Sequence, residues 1–170
     1  NQWETLRGTL ATFNSTNVMD TDGTYIYAAR GTNIWDRYTI SSNTWQQMTT
    51  NLPTTLNQST GAVYRDGSMY LVWQNSTTFY KCQISGLGCV GNAWTTLATL
   101  PATSQYSNAV YNSVDGYIYI IRGTSLYDIW KYDISNNEFV GPSSTSFNTT
   151  TGGGIFYDGS SGVYALKGGA

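Results

Sequence analysis

Ala109-Val110-Tyr111-Asn112-Ser113-Val114-Asp115-Gly116-Tyr117-Ile118-Tyr119 reads as two β-type runs joined at an Asp-Gly pair. Aromatic and β-branched residues suit a pleated, half-buried surface. Asp-Gly tolerates the positive φ that a tight hairpin turn demands. The pair recurs at Asp22-Gly23, Asp66-Gly67 and Asp158-Gly159, so the four copies are spaced by 44, 49 and 43 residues. Each is followed by a tyrosine-containing run, Tyr25-Ile26-Tyr27, Met69-Tyr70-Leu71, Tyr117-Ile118-Tyr119 and Val163-Tyr164-Ala165. Three are also preceded by β-type residues, in Ala62-Val63-Tyr64, Ala109-Val110-Tyr111 and Ile155-Phe156-Tyr157.

Two further markers run in phase with the first. Trp3, Trp45, Trp94 and Phe139 recur at 42, 49 and 45 residues, with Leu6, Met48 and Leu97 three residues after the tryptophans. Leu52-Pro53 and Leu100-Pro101 close two of those segments. Between the markers lie Trp35-Asp36-Arg37-Tyr38, Phe79-Tyr80-Lys81-Cys82 and Ile129-Trp130-Lys131-Tyr132, each followed at a short distance by Ile40, Ile84 or Ile134. Period-two alternation puts Arg37, Lys81 and Lys131 on one face of their strands. Each period therefore holds four short strands. Four strands in about 40 to 50 residues is the period of a propeller blade, and such sheets cover their faces only by packing on one another.

The sequence accordingly predicts an all-β fold, a β-propeller of four-stranded blades. One domain spans residues 1–170, with periods of about 3–44, 45–93, 94–138 and a partial 139–170. That is about four blades' worth, with the last blade incomplete. Three explanations fit the missing strand: a four-bladed ring with one thin blade, a part of a larger propeller, or a strand donated by another subunit.

These residues resemble the kelch family, whose blades read as a strand, Asp-Gly, a Tyr strand ending in Gly-Gly, a Tyr-Asp turn, then Asn-x-Trp and Leu-Pro. Tyr132-Asp133, Asn136-Asn137-Glu138-Phe139, Asn43-Thr44-Trp45 and Leu52-Pro53 carry the likeness, over essentially the whole chain. The departures are in the double glycine. It stands only as Gly168-Gly169, while Arg30-Gly31 and Arg122-Gly123 keep one glycine and Gln74-Asn75 keeps neither. A divergent kelch-like propeller is what the resemblance implies.

Composition narrows the function. The net charge of −2 lacks the basic face of a nucleic-acid binder, and only 11% of the 170 residues are charged. No apolar run approaches the roughly 20 residues of a membrane span. The chain has no His, which removes the usual general base and the commonest metal ligand. The copper chemistry of related propellers, which uses His, is thereby excluded. No sialidase Asp-box matches at Ser113-Val114-Asp115-Gly116-Tyr117, and no phosphate loop is present. No cofactor and no catalytic residue are predicted. The first residue is Asn rather than Met, so the numbered chain reads as a mature or trimmed form.

The candidate sites follow. Cys82 and Cys89 bracket a loop with two glycines, which reads as a local disulfide or as a redox or metal pair, the latter without His or a CxxC to support it. A disulfide implies an oxidising compartment. Asn14, Asn57, Asn75 and Asn148 head N-glycosylation acceptor patterns, and Asn14, Asn57 and Asn148 fall in loops between blades. Arg30, Arg122 and Lys167 recur at the end of the second strand, as a cationic ring for an acidic sugar or, for the arginines, as local partners of Asp36 and Asp128. Trp3, Trp45 and Trp94 read as blade-to-blade packing, whereas Trp73 and Trp130 are the better candidates for a surface ligand contact, with core packing as the competing and favoured reading. Asp20 and Asp22 read as Asx-turn residues with a weak Ca²⁺ site as the alternative.

The functional expectation is a non-enzymatic, extracellular or cell-surface interaction or structural module, such as a subunit of a glycosylated surface layer, adhesin or filament. Its expected partners are a protein, copies of itself, or glycans. The alternatives are a lectin-like carbohydrate-binding domain, or a fragment of a larger propeller enzyme.

Overall fold

Among the described residues, fifteen strands form four antiparallel sheets in chain order. This computed structural model describes residues 8, 10, 18–56, 60–123, 126–149, 153–160 and 162–169. The first sheet holds β1 (Met19–Thr21), β2 (Tyr25–Ala29), β3 (Trp35–Thr39) and β4 (Thr44–Gln47). The second holds β5 (Ala62–Arg65), β6 (Ser68–Val72) and β7 (Phe79–Ser85), with β8 (Gly88–Cys89) and β9 (Thr95–Thr96) both pairing with β7. The third holds β10 (Asn108–Tyr111), β11 (Tyr117–Ile121), β12 (Leu126–Asp133) and β13 (Glu138–Thr149). The fourth holds β14 (Gly154–Tyr157) and β15 (Val163–Leu166). One 3₁₀ turn, Val90–Asn92, is the only helical element among the described residues.

All four Asp-Gly pairs sit at the first hairpin of a sheet, and their glycines have φ between 72° and 84°. Only in the second sheet does the aspartate join its glycine at positive φ, Asp66 at 45°, in a two-residue turn that closes the Arg65–Ser68 pair. In the other three the aspartate works through its side chain. Asp22 Oδ1 accepts from the Thr24 and Tyr25 amides, Asp115 Oδ1 from the Tyr117 amide, and Asp158 Oδ1 from the Ser160 and Gly162 amides. Such Asx bonding fixes the turn from the carboxylate rather than from the backbone alone.

Sheets follow one another through their first strands. β5 lies against β1 on one side and β10 on the other, and β10 lies against β14. Alternation then assigns each face. Tyr27, Ala29 and Trp35 of the first sheet meet Met69, Leu71 and Cys82 of the second in one core. Val63, Tyr70, Val72 and Phe79 of the second meet Ile118, Ile120, Trp130 and Tyr132 of the third in another. The second sheet is thus covered on both faces, and every residue of β6 is buried.

The sheets differ in phase from the sequence periods. Trp45 lies in β4 and Phe139 in β13, the last strands of the first and third sheets, not the first strands of the next unit. Short turns join antiparallel neighbours within a sheet, whereas the long connections 48–61 and 97–107 run between sheets. The repeat length is kept and its boundary moves by one strand. The strand expected at Trp3 and the acceptors Asn14 and Asn57 lie outside the described residues.

Candidate functional site

Three contacts recur from sheet to sheet. First, a second-strand tyrosine donates to the hairpin aspartate: Tyr27 to Asp22 (3.2 Å), Tyr119 to Asp115 (2.6 Å) and Tyr164 to Asp158 (3.4 Å). Second, a third-strand tyrosine donates to the asparagine of the next turn: Tyr38 to Asn43 and Tyr132 to Asn137, both at 2.8 Å. Those asparagines stand at φ 51° and 53°, the left-handed region that Asn tolerates. Third, the basic residue of the third strand lies over tyrosine rings of the second: Arg37 over Tyr25 (4.2 Å), Lys81 over Tyr70 (5.7 Å) and Lys131 over Tyr117 (4.2 Å). Burial raises the phenols of Tyr27 and Tyr132 far above their ordinary value, and the Asp22 carboxylate adds to the effect at Tyr27. They stay protonated at neutral pH and act as structural donors.

The second sheet departs from this pattern. Cys82 stands where Tyr38 and Tyr132 stand, and a disulfide to Cys89, with Cα atoms 5.3 Å apart, replaces the tyrosine–asparagine bond. The metal or redox reading of the pair thereby gives way to a crosslink. The change also alters the surroundings of Trp94. Trp45 packs on Tyr38 (ring centres 5.0 Å apart) and Phe139 on Tyr132 (5.2 Å). Trp94 has no such ring in its own sheet. It leans on Trp35 of the first sheet (5.4 Å) and donates its Nε1–H to the Asn51 carbonyl at 2.9 Å.

A dense set of bonds holds the surroundings. Trp35 Nε1–H donates to the Thr50 carbonyl at 2.5 Å. Thr50 Oγ1 accepts from the Cys89 amide (2.9 Å) and lies 2.6 Å from Asn92 Oδ1. The Thr49 amide donates to the Leu87 carbonyl at 2.6 Å. A Cβ on Gly88 would sit 2.6 Å from Thr49 Oγ1, so only glycine fits this approach. The result is an open cleft of about 430 Å³ walled by Tyr80 and Trp94, with Thr49, Asn51 and Asn92 on its rim. It adjoins a second cleft of about 600 Å³ over Ser85 to Gly91, and the two share Thr49, Thr50 and Asn92. No charged side chain lines either.

A third cleft, about 510 Å³, crosses the hairpins of the first two sheets and reaches Tyr111 of the third. It is charged, but its charges are engaged. Arg65 lies over the Tyr111 ring at 4.3 Å and within 3.0 Å of Asp66, while Asp22 holds its own turn. Beneath it Tyr27 and Tyr64 stack across sheets (5.7 Å, 8°), and Asp20 accepts from the Tyr64 and Thr21 amides. Burial pushes the Asp20 carboxyl up against the opposing pull of those two amides. The described residues contain no cluster of three or more His, Cys, Asp or Glu side chains suited to a metal ion.

The sequence candidates fare differently. Arg30 makes a two-point ion pair with the fully buried Asp36, both bonds 2.5 Å, and Arg122 pairs with Asp128 at 2.8 Å. Lys167 is exposed beyond β15. Trp130 is 2% exposed within the core of the second and third sheets, so the surface role assigned to it is corrected: its strand position points inward. Trp73 is half-buried against the first core. Asn75 is exposed, at φ 51°, and its Oδ1 accepts from Gln105 Nε2. Asn148 lies within β13, not in a connecting loop, because that strand runs on past its bulges to pair Thr149 with Leu126. Trp94, read from sequence as blade-to-blade packing, does pack on Trp35 of the first sheet; what sequence reasoning missed is that it also walls the open cleft. Its signal was Cys82, the one cysteine at an otherwise tyrosine position.

No family model matches the chain, and no curated protein matches it. Among solved structures, the fold is similar to that of a structural genomics protein of unknown function from Bacteroides thetaiotaomicron VPI-5482. The TM-score is 0.63 at 18% identity, over 88% of this chain and 43% of that one. At that identity the likeness concerns the fold alone, and this chain spans less than half of that protein's length.

Proposed function

We propose that this chain is a stretch of kelch-like β-propeller serving as a non-catalytic, extracellular interaction module that binds through the groove on its second sheet. The observation that carries this reading is the break in the repeat. Where the first and third sheets spend tyrosine and asparagine on a turn, the second sheet uses a crosslink and presents Trp94 to an open, neutral groove. Meandering sheets that touch in order through their first strands, together with the kelch-like motifs, support the propeller. The disulfide supports an oxidising, extracellular setting. No helix among the described residues is long and apolar enough to cross a membrane. Amide chemical-shift mapping against a library of small polar fragments tests the site. Shifts should gather at Thr49–Asn51 and Gly88–Trp94; shifts confined to the hairpin-end cleft would refute the assignment.

A second reading, self-assembly, rests on the fourth sheet. Phe156, Tyr164 and Leu166 are 46%, 49% and 56% exposed on one face. The equivalent residues of the second sheet, Val63, Tyr70 and Val72, are buried against the third. Sedimentation of the wild type and of a Phe156→Ser/Leu166→Ser variant tests it: concentration-dependent association should be present in the first and lost in the second.

A further inference from the structure

We infer that the groove on the second sheet takes a neutral oligosaccharide, bound by stacking of sugar rings on Trp94 and Tyr80. This inference rests on the groove being the binding surface, and it names the ligand class.

The groove's chemistry selects against other classes. Its two connected clefts, about 430 and 600 Å³, are together long enough for more than one sugar ring, and each lies within the range of small-molecule sites. Neither contains an Arg, Lys, Asp or Glu, so a charged ligand would lose water without gaining a counter-charge. What the groove does contain is hydroxyl and carboxamide groups, on Thr49, Asn51, Asn92 and Ser85. Each of these both donates and accepts, as sugar hydroxyls do. Asn51 and Asn92 are exposed at its edge, so their carboxamides are within reach of a ligand.

The aromatic wall supplies the rest. An indole or phenol face is electron-rich, and the C–H face of a pyranose presents a positive edge to it. Stacking needs a ring that is already fixed, since an ordered side chain costs less entropy on binding. Trp94 is fixed at both ends of the indole: Nε1–H is tied to the Asn51 carbonyl, and the ring rests on Trp35. It remains half-buried rather than buried, as does Tyr80. Behind them the loop backbone is held by the Cys82–Cys89 bond and by Thr49 and Thr50. Trp45 and Phe139, at the equivalent places, pack on the tyrosines Tyr38 and Tyr132 of their own sheets, and Phe139 also meets Phe79 of the second sheet (5.8 Å).

The test is calorimetry with amide-shift mapping on the whole, oxidised chain. The probes are neutral hexasaccharides (cellohexaose, mannohexaose and chitohexaose), anionic hexagalacturonate, and an uncharged capped peptide of Ser, Thr and Tyr. At least one neutral hexasaccharide should bind, with shifts at Thr49–Asn51 and Gly88–Trp94. Trp94→Ala should weaken that binding about tenfold or more, the scale of a central aromatic anchor. Because Trp94 also contacts Trp35, Asn51→Ala serves as a second variant: its backbone carbonyl still holds the indole, its carboxamide is gone, and binding should fall while melting stays unchanged. Equal or tighter binding of hexagalacturonate overturns the neutral class. Groove shifts with the peptide and none with any saccharide overturn the oligosaccharide and leave the binding surface standing. No groove shift with any probe overturns both.

Discussion

Replacing both Cys82 and Cys89 by Ala tests whether the crosslink does in the second sheet what tyrosine and asparagine do in the first and third. The bond closes an eight-residue loop, for which chain entropy assigns about 2.5 kcal/mol of stabilisation. In a chain of this size each kcal/mol moves the melting temperature by about 2–4 °C, so the variant should melt about 5–10 °C below the oxidised wild type. Cys82 and Cys89 are 0% and 6% exposed, and the lost sulfur volume can only add to that. Tyr38→Phe and Tyr132→Phe provide the comparison. Each deletes one 2.8 Å hydrogen bond and keeps the ring, which should cost about 1 kcal/mol, or roughly 2–4 °C. Scanning calorimetry on the three variants reads all of these on one scale. A double-alanine variant melting within about 2 °C of the oxidised protein would show that the crosslink contributes no more than the bond it replaces. The account of the second sheet would then fail.

Three further outcomes follow from the same contacts. Arg30→Ala strands the buried Asp36 carboxylate and should cost about 3–5 kcal/mol, whereas Arg122→Ala, whose partner Asp128 is 31% exposed, should cost about 1 kcal/mol or less; equal losses in chemical denaturation would contradict the burial difference. Gly116→Ala, at φ 79° in open space, should cost about 1–2 kcal/mol, while Gly123→Ala places a Cβ against the Gln105 carbonyl and should cost several; a mild Gly123→Ala would refute that close approach. Burial raises the Asp20 carboxyl above 3.8, so the native state holds its proton more tightly than the unfolded chain does, and its contribution to stability falls as pH rises from below 3.8 through the raised value. Asp20→Asn removes that titration, so the melting difference should shift toward the variant as pH rises from below 3.8, and a pH-independent difference would count against it.

The hairpins were legible because their chemistry is local. Asp-Gly followed by a tyrosine run needs only its own neighbours to turn, and each of the four copies does so. Arg30–Asp36 and Arg122–Asp128 were legible for the same reason, being six residues apart across one turn. Residues Met19–Thr21 were not. Nothing in Met-Asp-Thr favours a strand; β1 exists because it pairs with Tyr25–Ala29 and because Asp20 reaches the Tyr64 amide of the next sheet. The phase of the Trp-marked strand was equally hidden, since its alternation fits either neighbour and only the pairing of β4 with β3 decides. Trp130 looked unrepeated beside Tyr80 and Asp36, yet all three occupy one inward-facing place, filled by an indole, a phenol and a salt-bridged carboxylate. Residue type varies there; direction does not.

That last point explains why the groove lies where it does. The turn bonds of the first and third sheets hold the edges of those sheets. The second sheet is covered by both cores, with β6 buried from end to end. Its strands are held by packing, so its third-strand turn can give up the tyrosine–asparagine bond if a covalent link takes its place. With cysteine in place of the tyrosine, Trp94 lacks the ring partner that Trp45 and Phe139 have within their sheets; it keeps a contact across the gap, on Trp35 as Phe139 does on Phe79, and adds the bond to the Asn51 carbonyl. The groove therefore borders the repeat position at which a cysteine stands in place of tyrosine, and it rests on the sheet that both cores cover. Rigid support beneath an adaptable polar rim is what a binding surface requires, because the ligand then orders few side chains on arrival.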